Sequence, residues 1–295
     1  MSITLDEQLL DIGPVRLNYQ VMGPEDGPPM LLVMGLGSQM VAWPEKFCRM
    51  LVDQGRRVIR FDNRDIGRST HLDGLPGSPL RVFAGAAPAY RISDMARDAI
   101  ALVERLAPGG VDVVGISMGG MISQSVAALR PDLVRSLTSL CSTSGARGVG
   151  GATPRLVLRT LLQKQVRTEQ ERIEQAVGMQ RALSGGGFPF DEELVRASAA
   201  WAYRRGYDPV GVSRQLCAVI TAPDRTAALS RLRIPTLVVH GAADPLIDVS
   251  GGRATAAAIP GSRYVEVAGM GHELPEALWR QLTDDIGSVA DSAAR

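Results

Sequence analysis

"VDVVGISMGGMIS", residues 111–123, runs a short apolar stretch into a serine fenced by glycines and then continues at helical spacing. A buried strand that becomes a helix at once needs a very sharp corner. The serine at that corner, Ser117, would sit in a strained backbone conformation, tolerable when Gly115 and Gly119, two residues before and two after, carry no side chain to collide. The bare pattern G-x-S-x-G arises often by chance, so its context decides: between a strand and a helix it reads as a nucleophile elbow. Such a turn lifts the Ser117 hydroxyl clear of the sheet edge. It also sets the N–H of Met118 at the start of the following helix, where it can donate to developing negative charge.

Working outward, the same alternation recurs. Residues 2–22 read as a two-stranded opening that includes "VRLNYQVM", and "PMLLVMG" (29–35), "RVIRFD" (57–62), "VRSLTSLC" (134–141), "IPTLVVHG" (234–241) and "SRYVEVAG" (262–269) are apolar runs too short for helices. Between them the spacing predicts helices over 43–54, ending at Gly55, over 92–106 with Ser93 as N-cap, and over 118–130. Strands that read as continuous apolar runs are buried on both faces, which predicts an α/β architecture: a mostly parallel sheet of about eight strands flanked by helices. From about 145 to 225 the alternation breaks. Two charged helical stretches, "RLVLRTLLQKQVRTEQERIEQAVGMQRAL" and "DEELVRASAAWAYRR", flank the loop "SGGGFPF". An inserted helical cap (145–225) is therefore expected between two parts of the sheet core, 1–144 and 226–295, with the charged helix faces turned to solvent.

A serine hydroxyl needs a base within hydrogen-bond reach, usually an imidazole held by a carboxylate. The chain has three histidines. His272, in "GMGHELP", lies past the last apolar run, where the loops of an open α/β sheet gather around ligands, and is the candidate base. His240 closes its own strand and is expected to be packed or at the surface; His71, in a polar loop, could line an entrance. Asp244, just past the strand before His272, is the candidate orienting acid. Its competitor, Asp248, falls at a helix start and has a capping role there. The loop after "LTSLC" offers no acid. The order Ser117, Asp244, His272 is that of α/β-hydrolases and not of the two serine-protease arrangements. A second backbone donor is expected from Leu36, where Gly35 and Gly37 let the chain turn inward.

Composition bounds the rest. The chain has 295 residues, 45% hydrophobic and 21% charged, with formal net charge +1, so neither nucleic acid nor anionic lipid is expected as a partner. Acids stand where a secretory signal has basic residues, and no run approaches the roughly 18 apolar residues of a membrane span, which makes a cytoplasmic location the expectation. Cys48, Cys141 and Cys217 have no close pairing and suggest neither disulfides nor a zinc site; Cys141 reads as a small core residue. Phe188, Phe190, Trp201, Tyr203 and Tyr207 could line an apolar pocket or form the core of the cap.

The motifs "MGLGS", "FDNRDIGRS", "GISMGG", "HGAADPL" and "GMGHELP" together resemble the α/β-hydrolase fold superfamily over essentially the whole chain. Within it the chain is similar to the carboxylesterase group that includes aclacinomycin methylesterase; "SGGGFPFDEE" and "YDPVGVSRQL" carry a weaker likeness. The resemblance implies Ser117 as nucleophile, His272 as base, Asp244 as its partner, and Leu36 and Met118 as oxyanion donors. It implies a structural turn at Asp62, Arg64 and Gly67, no cofactor or metal, and a small-molecule ester as substrate. Many relatives have His where this chain has Met34. A serine nucleophile argues against the dehalogenase and epoxide hydrolase branches. Carbon–carbon hydrolase, thioesterase, lactonase and perhydrolase chemistry share the constellation, and a silent ligand-binding member is the competing class.

Overall fold

A computed structural model describes residues 6–161 and 166–293. Residues 2–5 of the expected opening and 162–165 of the expected first cap helix lie outside the described residues. Strands β1 (Gln8–Asp11), β2 (Arg16–Met22), β3 (Pro29–Val33), β4 (Arg57–Phe61), β5 (Val111–Ile116), β6 (Val134–Leu140), β7 (Thr236–Gly241) and β8 (Arg263–Val267) form one sheet in the order β1-β2-β4-β3-β5-β6-β7-β8. The pairs β1–β2 and β2–β4 are antiparallel and the rest parallel. The apolar runs are explained by alternation. Leu31 and Val33 enter one core cluster with Val113, whereas Met30 and Leu32 enter the cluster on the opposite face with Val114. Each fully buried side chain of this kind contributes about 1.5–3 kcal/mol.

The helices preceding the insertion are α1 (Glu45–Asp53), α2 (Pro79–Phe83), α3 (Ile92–Leu106) and α4 (Met118–Leu129). The chain leaves β3 toward β4 on one side and later returns to β5 on the other, so strand order reverses between β3 and β5. Ligands bind at such a switch point, beyond the strand ends. Register aligns those ends: Val33 faces Gly115, Gly115 faces Ser139, Leu140 faces Val239, and Gly241 faces Val267.

Between β6 and β7 come only helices among the described residues: α5 (Pro154–Leu161), α6 (Glu169–Leu183), α7 (Glu192–Arg205), α8 (Pro209–Ile220) and α9 (Thr226–Leu229). Helices α10 (Ser250–Ala258) and α11 (Trp279–Ser292) complete the chain. Helices α6 and α7 pack side by side and are laced by exposed pairs, Arg196–Glu174, Arg204–Glu169 and Arg181–Glu192. Solvated pairs of this kind stabilise little, about 0–1 kcal/mol each.

Three sequence expectations are corrected. Ser93 does not cap α3: Arg91 is the N-cap, and its N–H donates to the Asp94 carboxylate at 2.8 Å. The helix expected over 43–54 starts at Glu45, after a 3-10 turn over Met40–Ala42 and Pro44, whose extended backbone stands at the N-cap. The first helical stretch expected in the 145–225 segment is two helices, because Thr168 begins a new one: its hydroxyl accepts the Glu171 N–H at 3.2 Å while Glu171 accepts the Thr168 N–H at 3.2 Å. Helix α8, not foreseen, starts where Asp208 accepts the Val210 N–H at 2.9 Å and Pro209 opens the first turn.

Candidate active site

Ser117 joins β5 to α4 with φ 58° and ψ −124°, a conformation that L side chains rarely adopt. The corner is held from two sides. The Ser117 N–H donates to Leu140 O at 2.9 Å, and Ser142 Oγ donates to Ser117 O at 2.8 Å. The fencing glycines are sterically required: a Cβ on Gly115 would lie 2.2 Å from Gly119 O, and one on Gly119 would lie 2.1 Å from Val33 O. Met118 opens α4, so its N–H has no acceptor one turn earlier within the helix. The turn after β3 lies against the same corner, since a Cβ on Gly35 would sit 3.1 Å from Ser117 Cβ and 3.6 Å from its Oγ. Leu36 follows, in a turn closed by Ser38 N–H donating to Gly35 O at 3.3 Å.

The Met34 side chain supplies no hydrogen-bond donor to this turn, and other residues organise it. Asn63 Nδ2 donates to Met34 O at 3.1 Å, and the Gly37 N–H donates to Gln215 Oε1 at 2.9 Å. Gln215 stands on α8, and its Nε2 donates in turn to Arg64 O at 2.9 Å.

Beyond β7, Asp244 is buried, and its Oδ1 accepts the N–H groups of Leu246 and Ile247 at 2.8 and 2.9 Å. Its Oδ2 lies 2.7 Å from Nδ1 of His272, which follows β8. Burial alone would push this carboxyl up. Hydrogen bonds from His240 and His272, with the electrostatic attraction of the His272 ring, outweigh that and bring it down to about 2. A carboxylate only accepts, so Nδ1 of His272 carries the hydrogen of this bond. Asp248 accepts the Ser250 N–H at 2.9 Å at the start of α10, as its capping reading anticipated.

The remaining candidates fall outside this pair. His240 is fully buried, with Nε2 2.7 Å from Ile247 O and 3.4 Å from Asp244 Oδ2. Of the packed and surface positions open to it in the sequence, it takes the packed one; its place beside the acid is not readable there, because the i, i+4 spacing to Asp244 spans a strand end and a loop. His71 binds Asp208 Oδ2 through Nδ1 at 2.9 Å and Gly67 O through Nε2 at 3.0 Å. Cys141 is buried with φ 45°, and burial pushes its thiol well above the ordinary range, which disfavours the thiolate. Its Sγ shares a corner with Asp244 and His272, but the short bond between acid and imidazole fills that corner.

Asp62, Arg64 and Gly67 lie in a buried polar turn, Arg64 pairing with Asp98 at 2.6 Å through both Nε and Nη2. The aromatic residues over 188–207 have different surroundings. Tyr203 stacks on Tyr207, the Arg181 guanidinium covers Phe190, Phe188 packs under the β8 loop against the core, and Trp201 is half exposed. Ser142 was passed over as a non-acid; a serine two residues past a strand end carries no signal of what it will bond.

With the geometry in place, comparison with known proteins sharpens it. The family described as alpha/beta hydrolase fold matches residues 28–276. Over 292 residues the chain is 31% identical to rhodomycin D methylesterase of Streptomyces peucetius, spanning 92% of this chain and 94% of that protein. It is 30% identical over 293 residues to the rhodomycin D methylesterase of Streptomyces sp. strain C5, with 92% and 94% covered. Among solved structures, the enol-lactonase from Burkholderia xenovorans LB400 superposes with a TM-score of 0.70 over 98% of this chain and 100% of its own, at 20% identity. That likeness is one of fold.

Proposed function

Because this chain belongs to the alpha/beta hydrolase fold family and is a hydrolase of carboxylesterase type, we propose that it cleaves carboxylic esters through an acyl-enzyme on Ser117. The observation that carries the reading is the positive φ of Ser117 at the sheet's switch point, with an acid–imidazole pair on the loops that follow the parallel strands β7 and β8 of the same sheet. Ser117 Oγ attacks the ester carbonyl carbon while His272 Nε2 takes its proton, and Asp244 holds the imidazolium that results. The N–H groups of Leu36 and Met118 receive the oxyanion; losing one such donor typically costs about 3 kcal/mol. Collapse breaks the bond to the alkoxy oxygen, which leaves as the alcohol with the proton from His272. Water, deprotonated by His272, then releases the acid and Ser117.

The likeness to two methylesterases favours methyl or other short alkyl esters of an apolar, polyketide-like acid. Residues 145–225 act as the cap over this edge, a role supported by the contacts of Gln215 with Gly37 and of Leu183 with the His272 N–H at 2.8 Å. A series of p-nitrophenyl and methyl esters, run beside thioesters, lactones and a carbon–carbon-cleavable diketone, tests the substrate class. Turnover of short esters is expected, with loss of at least about 10⁴-fold in Ser117→Ala. Fluorophosphonate labelling that persists in Ser117→Ala would sink the assignment of the nucleophile, and absence of labelling in the parent protein would favour a ligand-binding member.

A further inference from the structure

The loop that follows α6 lies directly on the loop that carries His272, backbone on backbone. Four glycines make this contact possible. A Cβ on Gly271 would fall 2.1 Å from Leu183 O and 2.4 Å from Gly185 N; one on Gly185 would fall 2.4 Å from Gly269 O; one on Gly187 would fall 2.5 Å from Gly269 Cα. No side chain fits between the two segments. Two backbone hydrogen bonds cross the seam, His272 N–H to Leu183 O at 2.8 Å and Gly187 N–H to Gly269 O at 2.9 Å.

Glu273, next to His272 and buried, staples the seam shut. Its Oε1 accepts from Gly185 N–H at 3.0 Å and Ser184 Oγ at 3.2 Å on the inserted side, and from Gly271 N–H at 3.3 Å on the other. One carboxylate oxygen thus gathers donors from both segments. Hydrogen bonds to an ionised acceptor are about twice as strong as neutral ones, and a buried carboxylate without donors would be costly.

Resting on the reading of His272 as the base, we propose that Glu273 is a positioning residue: with residues Leu183–Gly187 it clamps the His272 loop, so that the inserted segment sets where the base stands. Asp244 fixes the imidazole from Nδ1. The clamp fixes the backbone that carries it, and a displacement of that backbone moves Nε2 relative to Ser117. Misplacements of about 1 Å can cost on the order of a hundredfold in rate.

The test compares Glu273→Ala, Glu273→Gln and Gly185→Ala with the parent full-length enzyme on a p-nitrophenyl ester, with Ser117→Ala as the control for the chemistry. In Glu273→Ala, kcat should fall roughly ten- to hundredfold with KM within about twofold, and the rate of fluorophosphonate labelling should fall in parallel. Glu273→Gln keeps an acceptor oxygen and should recover most of kcat. Gly185→Ala leaves the carboxylate intact but wedges the seam from the inserted side, so it should reproduce the kcat loss and decides the matter where Glu273→Ala does not fold. Unchanged kcat in folded Glu273→Ala or Gly185→Ala, with only the melting temperature lowered, overturns the proposal. Equal damage from Gln and Ala overturns the acceptor role. If Ser117→Ala keeps full turnover, the reading of the active site has failed instead, and the two failures are told apart.

Discussion

Arg205 on α7 donates through Nη2 to Asp62 Oδ2 at 2.9 Å, and both side chains are buried. Asp62 also accepts the Met40 N–H at 2.7 Å and the Arg68 N–H at 3.1 Å, and Arg205 reaches Glu7 through Nε at 3.0 Å and Nη2 at 2.8 Å. This pair joins the inserted helices to the turn after β4. A buried pair is a weak source of net stability, because desolvating both charges offsets most of their attraction, but removing one partner strands the other. Arg205→Met should therefore destabilise by about 3–5 kcal/mol in urea unfolding, and Arg205→Met with Asp62→Asn by less than the sum of the two single changes. Strict additivity would mean that the two side chains are energetically independent.

Asp244→Asn should keep the fold and lose the rate. The asparagine Oδ1 can still accept from Leu246 and Ile247, as the carboxylate does. Its amide group then faces Nδ1 of His272 as a donor, which forces the imidazole proton onto Nε2, the atom proposed as base. With the wrong tautomer in place, kcat should drop about 10⁴-fold at neutral pH while the melting curve stays close to that of the parent. A loss below tenfold in steady-state ester hydrolysis would remove Asp244 from its proposed role.

How much of this was legible follows from where each signal is local. The strands could be read because a strand buried on both faces writes itself as an unbroken apolar run, and β5 has no exposed residue. The sharp corner at Ser117 could be read because Gly115 and Gly119 flank it two residues away on each side, although the atoms that exclude a side chain at Gly119, Val33 O and Met34 O, are far away in the sequence. Thr168 and Glu171 form a capping box that stands plainly in "TEQE", yet the helical periodicity on either side masked it. Asp208 before Pro209 was an equally local start signal for α8 that went unread. Arg205 with Asp62, Gln215 with Gly37 and Glu273 with Gly185 are different in kind. Their partners are 143, 178 and 88 residues apart, and nothing in the spacing of such residues tells which will meet.

Gly119→Ala should be severe and Gly109→Ala nearly silent. At Gly119 the added methyl would lie 2.1 Å from Val33 O and 2.8 Å from Met34 O, atoms of a central strand and the loop leaving it, neither of which can swing aside as a side-chain tip could. Helix α4 would have to move off β3, taking Ser117 with it, at a cost of about 3 kcal/mol or more. Nothing lies within 4 Å of a Cβ on Gly109. Thermal unfolding of the two variants measures the difference, and equal melting temperatures would contradict the close approach of α4 to β3.

His71 makes the attachment of α8 dependent on pH. Burial works to lower its affinity for a proton, but the Asp208 carboxylate at 2.9 Å and Gly67 O at 3.0 Å outweigh that and raise its pKa above the ordinary 6.5. A group whose pKa is raised on folding contributes stability that is complete below the unfolded value and is lost as pH rises through the folded one. Asp208 has the opposite sign: burial raises it, but His71 and the N–H groups of Gly211 and Val210 hold it below 3.8, so its contribution is lost only in acid. As pH rises above the ordinary 6.5 through the raised value, the His71 effect therefore stands alone of the two. His71→Gln, which can still donate to Asp208 but does not titrate, should flatten the fall in melting temperature over that range. At pH 6 the parent should melt a few degrees above the variant, with the gap closing at higher pH. A gap that widens with rising pH would show that the sign is wrong and that His71 is neutral where it meets Asp208.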